Sequence, residues 1–418
     1  MSEIAKPLID CWCSVIVNSK TKSILLFLLI GFLITTACIT PDRPQGWSKG
    51  IVIGDEYYTG TLEGDVVSLA ISSKIEDVDR EIARYTLKGQ DGMRAVYSDL
   101  VVSRDPSNNS NKQIFFSGYD GNLYALSSGL IELDHIQVGD GSPLIGTVTV
   151  DDGADLIFLG SSDSNVYAFQ IYRDGAKLLL EQKWIFVTEG MIWSRPIVSE
   201  EILYIGSLDH KMYALNKHTG EQLWSFETKG GIVTSGLIVR DVLFFGSLDS
   251  VFYALDKKTG ILLDTYEEAK GWYWSDPIAD SGDYGNTIFT GVLDGRVHAI
   301  NYDNGRFSSR WIADLEEKIV SQLSLVDRWI AVASEDGSVV MINKDNGKSL
   351  RRCRLNSEVR AGIYHHDGVL YVSAYDHSVR ALRVLRHKEK PDGRFQEIWT
   401  YFTDRDYTQA FDEHPPVC

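Results

Sequence analysis

The residues most able to do chemistry in this chain are carboxylates and histidines, and their spacing argues against a catalytic centre. An acid recurs eight times, at Glu63, Asp120, Asp163, Asp209, Asp249, Asp294, Asp336 and Asp376, with intervals of 57, 43, 46, 40, 45, 42 and 40 residues. Carboxylates that act together in catalysis must converge on one point. Eight at near-constant spacing mark one turn used eight times, in which the acid bonds nearby backbone N–H groups. His365 and His366 are adjacent, so on a strand they point to opposite faces and cannot chelate one metal together. His210, His298 and His377 fall in different repeats and read as surface or turn residues. Two acidic loops, 151–155 (DDGAD) and 280–286 (DSGDYGN), lack the alternating ligands and closing Glu of an EF-hand loop, and read as solvated hairpin turns. HExxH, GxSxG, a phosphate-cradling glycine loop and paired CxxC are absent from the sequence.

Composition narrows the classes further. The chain has 418 residues, 44% hydrophobic and 24% charged, and a net charge of −17. That is globular composition, and a body this acidic has no general attraction to nucleic acid or anionic lipid. The dense basic runs, 351–354 and 386–390, read as solvated faces. Five cysteines cannot staple a chain of this length, although Cys353 and Cys418 would be able to pair in an oxidising compartment.

The N-terminus reads as a targeting segment. Residues 24–37 (ILLFLLIGFLITTA) carry no charge and follow Lys20 and Lys22, the order of a secretory signal. Cys38 comes next, and Ile-Thr-Thr-Ala-Cys resembles a bacterial lipobox, with Thr35 where an aliphatic residue is usual. Lipidation at Cys38 would tether the mature chain to a membrane. An uncleaved anchor over 23–40 and simple cleavage are the alternatives. All three place the body outside the cytoplasm. We therefore divide the chain into a leader or anchor (1–38), a linker (39–45), a repeat domain (46–403) and a tail (404–418).

The elements that position the eight acids are short strands. The copy ILYIGSLDHKMYALNKHTGEQLWSF, at 202–226, is followed by VLFFGSLDSVFYALDKKTGILLDTY at 242–266, and six looser copies complete the set. Each reads as four strands joined by Gly- and Asp-rich turns, with no long amphipathic helix. Around 45 residues and four strands per unit is the blade of a β-propeller, since a lone blade cannot bury its two faces and a ring of eight can. The fold class is therefore all-β, an eight-bladed propeller of four-stranded antiparallel blades.

The segment Ala214-Leu-Asn-Lys-His-Thr-Gly220-Glu-Gln-Leu-Trp224 resembles the PQQ-like (quinoprotein) propeller repeat, A-x-D-x-x-T-G-x-x-x-W. Ala254 to Gly260 repeats its first half, with Asp264 in place of the Trp. Degenerate copies start at Ala299 and Met341. The resemblance implies that the Trp docks between blades. It also implies one of two roles: a quinoprotein dehydrogenase using PQQ and calcium, or a non-catalytic propeller of the type found in outer-membrane β-barrel assembly lipoproteins. The adjacent cysteines of the dehydrogenases are missing here, so neither PQQ nor calcium is expected.

Three columns run through the first strands. Small residues stand at Ser48, Ser98, Gly146, Ser194, Ser235, Ser275, Ser321 and Ala361. The positions before them include Trp47, Tyr97, Trp193 and Trp274, an aromatic face suited to a protein partner. The positions after them include Lys49, Asp99, Arg195, Asp276 and Gln322, which would line the channel. The two flanking columns are expected on opposite sides of the strand. The reading is thus a monomeric, membrane-tethered, extracytoplasmic scaffold that binds protein through loops at one propeller end, with no catalysis and no nucleic-acid partner. Its rivals are an oxidoreductase or degenerate quinoprotein with a channel ligand, and a glycan-binding sensor.

Overall fold

The computed structural model describes residues 46–404 except 76–78, 90–93, 106–107, 175–176, 281–286, 356 and 388–389. The leader, Cys38, the linker and the tail beyond 404 lie outside the described residues. Among those described, no helix is long and apolar enough to cross a membrane.

Thirty-two strands form eight separate four-stranded sheets, each an antiparallel meander of consecutive strands. The blades span 51–86, 101–137, 149–187, 197–227, 237–266, 278–314, 324–354 and 364–402; below they are blades 1 to 8, with strands A to D from the channel outwards. Among the described residues no strand is exchanged between the first and last blades, so the ring closes through side-chain contacts, both apolar and polar.

Strand position explains composition. The second and third strands lie between two neighbouring blades, so both faces are covered and the sequence is almost continuously apolar. Leu156–Gly160 is buried at every position. The fourth strand is the outer edge, and Gln222–Glu227 alternates between exposed and half-buried residues. The first strands are shorter than the sequence suggests. In blade 4 only Ile197–Ser199 pairs as a strand, and the preceding residues run along the channel wall without a ladder partner.

Buried apolar side chains gather into eight clusters, one at each seam between neighbouring blades. Three seams share one clasp. Trp184 of blade 3 lies over Gly220 of blade 4, Trp224 over Gly260, and Trp311 over Gly347; a Cβ on these glycines would come within 2.7, 2.6 and 2.8 Å of the indoles. Each indole N–H donates across the seam, to the carbonyls of Lys217 (3.0 Å), Lys257 (3.2 Å) and Lys344 (3.0 Å). The same three lysines reach back to acids of the preceding blade. Lys217 Nζ lies 2.9 Å from Asp151, Lys257 Nζ 3.4 Å from Glu200 and Lys344 Nζ 2.5 Å from Asp280. The acidic loops are therefore not simply solvated: Asp151 and Asp280 are seam partners.

In blades 2 and 5 an Asp stands in the place of the Trp. Asp264 accepts from Phe307 N (2.6 Å), and Asp134 of blade 2 accepts from Leu180 N (2.7 Å). At ring closure, the Arg80 guanidinium sits 4.5 Å from the Trp399 ring centre, with its N–H groups donating to the carbonyls of Ala70, Ser72 and Ile75. Tyr57 and Tyr371 stack across that seam at 4.5 Å.

Candidate functional site

The small-residue column turns toward its own blade. Ser194 Oγ donates to Gly206 O (2.7 Å) and accepts from Gly206 N (3.1 Å). Ser321 and Ala333, and Thr234 and Gly246, repeat the donation at 2.7 and 2.9 Å. Because side chains alternate along an extended chain, the residues on either side of this column share the other face. Both flanking columns thus line one cavity, of about 110 Å3, at the channel. The expectation that they point to opposite sides is incorrect: positions two apart fall on the same face. Blade 5 is also one residue out of step with the sequence alignment. Thr234 is the small residue there, and Val233 and Ser235 face the cavity.

Trp47, Tyr97, Trp193 and Trp274 all line this cavity. They form two groups. Trp193 and Trp274 lie 6.4 Å apart. Trp47 meets Tyr97 edge-on at 4.5 Å and Tyr375 at 6.4 Å, and Tyr97 meets Tyr119 at 5.3 Å. Arg360 stands 5.8 Å from the Trp47 ring and 5.2 Å from that of Tyr375, and pairs with Glu335 (2.9 Å) and Glu358 (3.1 Å). Tyr119 and Tyr375 were not singled out from sequence. Each immediately precedes a turn acid, Asp120 or Asp376, where other blades carry Leu, Ser or Glu; that column held the signal.

The other flanking column forms a polar belt one step further along the channel. Asp99 accepts from Lys49 N (3.0 Å), and Thr147 Oγ1 accepts from Asp99 N (3.0 Å). Lys49 Nζ donates to Gln322 Oε1 (3.1 Å), passing Gly362, where a Cβ would lie 2.8 Å from Lys49 Cδ. Gln322 Nε2 donates to Asp276 Oδ2 (2.9 Å), and Ser235 donates to Asp276 through its N (2.7 Å) and Oγ (2.9 Å). Six blades are joined in this way. Burial pushes the Asp276 carboxyl up, against the pull of the Ser235 bonds and the nearby Arg195 charge. Arg195 of blade 4 reaches only Thr149 Oγ1, at 3.4 Å.

The seven turn aspartates cap as the sequence implies, whereas Glu63 pairs with His377 instead. Asp209 accepts from Lys211 N (3.0 Å) and from Tyr213 Oη (2.7 Å), and also from Glu189 N of the loop entering its blade (3.0 Å). His298 is a correction. It is neither a surface nor a turn residue but fully buried on strand Arg296–Asp303, with Nδ1 2.9 Å from Tyr266 Oη, and burial lowers its pKa. Four residues after its turn acid, it occupies the place of Tyr213.

One cluster has metal-ligand spacing. Donor atoms of Glu63, His377 and Asp404 lie within 4.8 Å of one another at the closing seam. His377 Nδ1 contacts Glu63 Oε1, and Thr403 Oγ1 is 3.4 Å from the same oxygen. Burial alone would raise the Glu63 carboxyl, but the His377 and Thr61 bonds bring it below its usual range. The Glu63 bond raises His377, against burial. An internal ion pair accounts for this geometry. Cys353 is buried and disulfide-bonded, and every other cysteine lies outside the described residues.

The family described as outer membrane protein assembly factor BamB matches residues 162–309 and 293–390, together more than half of the chain. No curated protein sequence matches. BamB from Moraxella catarrhalis superposes with a TM-score of 0.59 at 17% identity, over 80% of this chain and 94% of that one. Sqt1 from Saccharomyces cerevisiae gives 0.61 at 14% identity, over 80% and 94%. Sqt1 from Chaetomium thermophilum, bound to the N-terminus of a ribosomal protein, gives 0.62 at 13% identity, over 78% and 93%. At these identities the structural likeness is one of fold. The repeat signature, the eight closed seams and the sequence match together make this chain a member of the BamB family of PQQ-like propellers.

Proposed function

We propose that the chain is a non-catalytic, membrane-tethered, extracytoplasmic scaffold. It holds a protein partner at the aromatic mouth of its channel, and its setting is outer-membrane β-barrel assembly. The observation that carries this reading is the convergence of Trp47, Tyr97, Trp193 and Trp274 on one cavity. Trp, Tyr and Arg dominate the energetics of protein interfaces. A volume of about 110 Å3 falls below the roughly 300–1,000 Å3 of small-molecule pockets, which favours a protein group over a tricyclic quinone. The family description and the protein-bound Sqt1 neighbour support the same class of role.

Cross-linking capture from native membranes tests it, comparing wild type with a Trp193→Ala, Trp274→Ala double variant. Capture of a β-barrel assembly protein by wild type, lost in the variant, is the expected result. Equal capture by both would move the contact off the aromatic mouth. Capture of no such protein by either would sink the assembly role. Titration with PQQ and Ca2+ provides the second arm: saturable binding with alcohol-dependent quinone reduction would overturn the non-catalytic reading.

A further inference from the structure

We propose that the channel mouth receives the C-terminal carboxylate of an extended partner segment, held by the Arg195 guanidinium and the Trp193 indole N–H. This rests on the reading of the aromatic mouth as a protein-binding site, and names what that site recognises.

The cavity wall has more hydrogen-bonding capacity left in its donors than in its acceptors. Both Asp276 oxygens already accept, taking three bonds between them, and Asp99 accepts from Lys49 N. The donors are less well served. Among the described residues, Arg195 forms no ion pair and its guanidinium makes a single long contact, through Nε to Thr149. Lys49 Nζ has a neutral partner, Gln322. Trp193 Nε1 is buried and has no partner at all. Trp193 and Arg195 stand two residues apart on the same blade and line the same cavity, so both side chains border one site, and the covered indole N–H would have to turn toward a bound group to reach it. A carboxylate offers about four acceptor positions and takes a guanidinium fork through two parallel bonds. A cationic group would instead meet acceptors that are mostly occupied.

Space and charge select a chain end. The cavity of about 110 Å3, with the Trp193 and Trp274 rings side by side on its wall at 6.4 Å, is small enough to select a single chain end. An inserted loop would have to bring two chain segments through the same opening. The net charge of −17 repels acid-rich segments, whereas a lone terminal carboxylate beside an apolar side chain adds one negative charge to a wall of mixed charge, in which Arg195 stands with Asp99 and Asp276 below an aromatic rim.

The test is calorimetric titration of the full-length protein with three acetylated hexapeptides of one neutral sequence ending in Val-Leu. One has a free C-terminus, one is C-terminally amidated, and one is amidated with Glu replacing an internal residue. The free acid is expected to bind, with amidation weakening it about tenfold and Arg195→Gln doing the same. Trp193→Phe, which keeps a ring and removes the N–H, should weaken it by less. Arg195→Lys keeps the charge without the fork and should fall between wild type and Arg195→Gln; it also guards against misfolding of the Gln variant. Equal binding of acid and amide, preference for the internal Glu peptide, or no binding of the acid would each overturn the inference. If the double Trp variant loses its membrane partner while acid and amide bind alike, only the carboxylate inference fails. If that variant keeps its partner while the acid binds through Arg195, the failure belongs to the aromatic-mouth reading.

Discussion

Gly220 and Gly305 both hold positive φ, at 73° and 78°, yet only the first is closed in. A Cβ at Gly220 meets the Trp184 ring at 2.7 Å, while nothing lies within 4 Å at Gly305. Gly305→Ala should therefore cost only the left-handed penalty, about 1–2 kcal/mol. Gly220→Ala should cost a further 1–3 kcal/mol or so, because the indole must move. Equal losses in denaturant titrations of the two variants would show that the Trp–Gly contact carries no strain. Residue types were easily read from the sequence, but their directions were only partly so. The repeat signature marks Trp224 as a seam residue, while Trp184 and Trp311 make the same clasp from outside its spacing. The segment Val233-Thr234-Ser235-Gly236 offers two small residues in succession, and only the bond from Thr234 to Gly246 fixes which one faces the blade. His298 was misplaced for a simpler reason. Its position four residues after Asp294 is that of the buried tyrosines elsewhere, and a polar residue type outweighed that register.

At the scale of elements, the seam between blades 8 and 1 is held by a titratable clasp. His377 has φ 61° in its turn and pairs with Glu63 across the seam, with Asp376 and Asp404 adding negative potential. Its pKa is raised above the ordinary 6.5, so its stabilisation is complete below about that pH and is lost as pH rises through the folded value. Glu63 is lowered from 4.5, so its stabilisation is present above that pH and lost as pH falls through its folded value. The clasp is thus strongest between roughly pH 4.5 and 6.5. His377→Asn tolerates the left-handed turn and does not titrate. The stability gap between wild type and this variant should be widest in that window and shrink on either side. A gap independent of pH, measured by chemical denaturation, would remove His377 from the clasp. Strand order and turn type were legible here because each depends on neighbours in sequence. The partners of Glu63 and of the acidic loops were not, since Lys217 lies a blade away from Asp151 and no local pattern announces the pairing.

For the whole molecule, the absence of strand exchange has a topological meaning. Each blade is a run of consecutive strands, so the covalent opening of the ring falls between blades rather than within one. Gly46 and Thr403 line the same small cavity, which brings the two ends of the propeller together. A permutant that links Thr403 to Gly46 through a short flexible segment and opens at the loop 228–236 should fold to the same eight-bladed ring. Its Tm should lie within a few degrees of the unpermuted protein, because no sheet is cut. Collapse of cooperative melting in the permutant would mean that the native opening between blades 8 and 1 is essential to assembly. The eight-fold architecture was the most legible feature of all. It requires only that one pattern recur, and recurrence survives the degeneracy of individual copies.

The seams are not equal, and a closed ring fails in pairs: breaking one joint frees nothing until a second gives way. The indole clasps secure the joints after blades 3, 4 and 6, whereas at those after blades 2 and 5 the corresponding place is taken by an Asp carboxylate beside the apolar packing of the seam. Water competes with a lone carboxylate–amide bond more readily than with a packed indole. The two carboxylate joints bracket blades 3, 4 and 5, the arc that carries Trp193 and Arg195. Opening those two joints together would let that arc, with its part of the channel wall, move as one unit. Deuterium uptake should begin at the amides of Leu180 and Phe307 well before it reaches the seam that Trp224 closes.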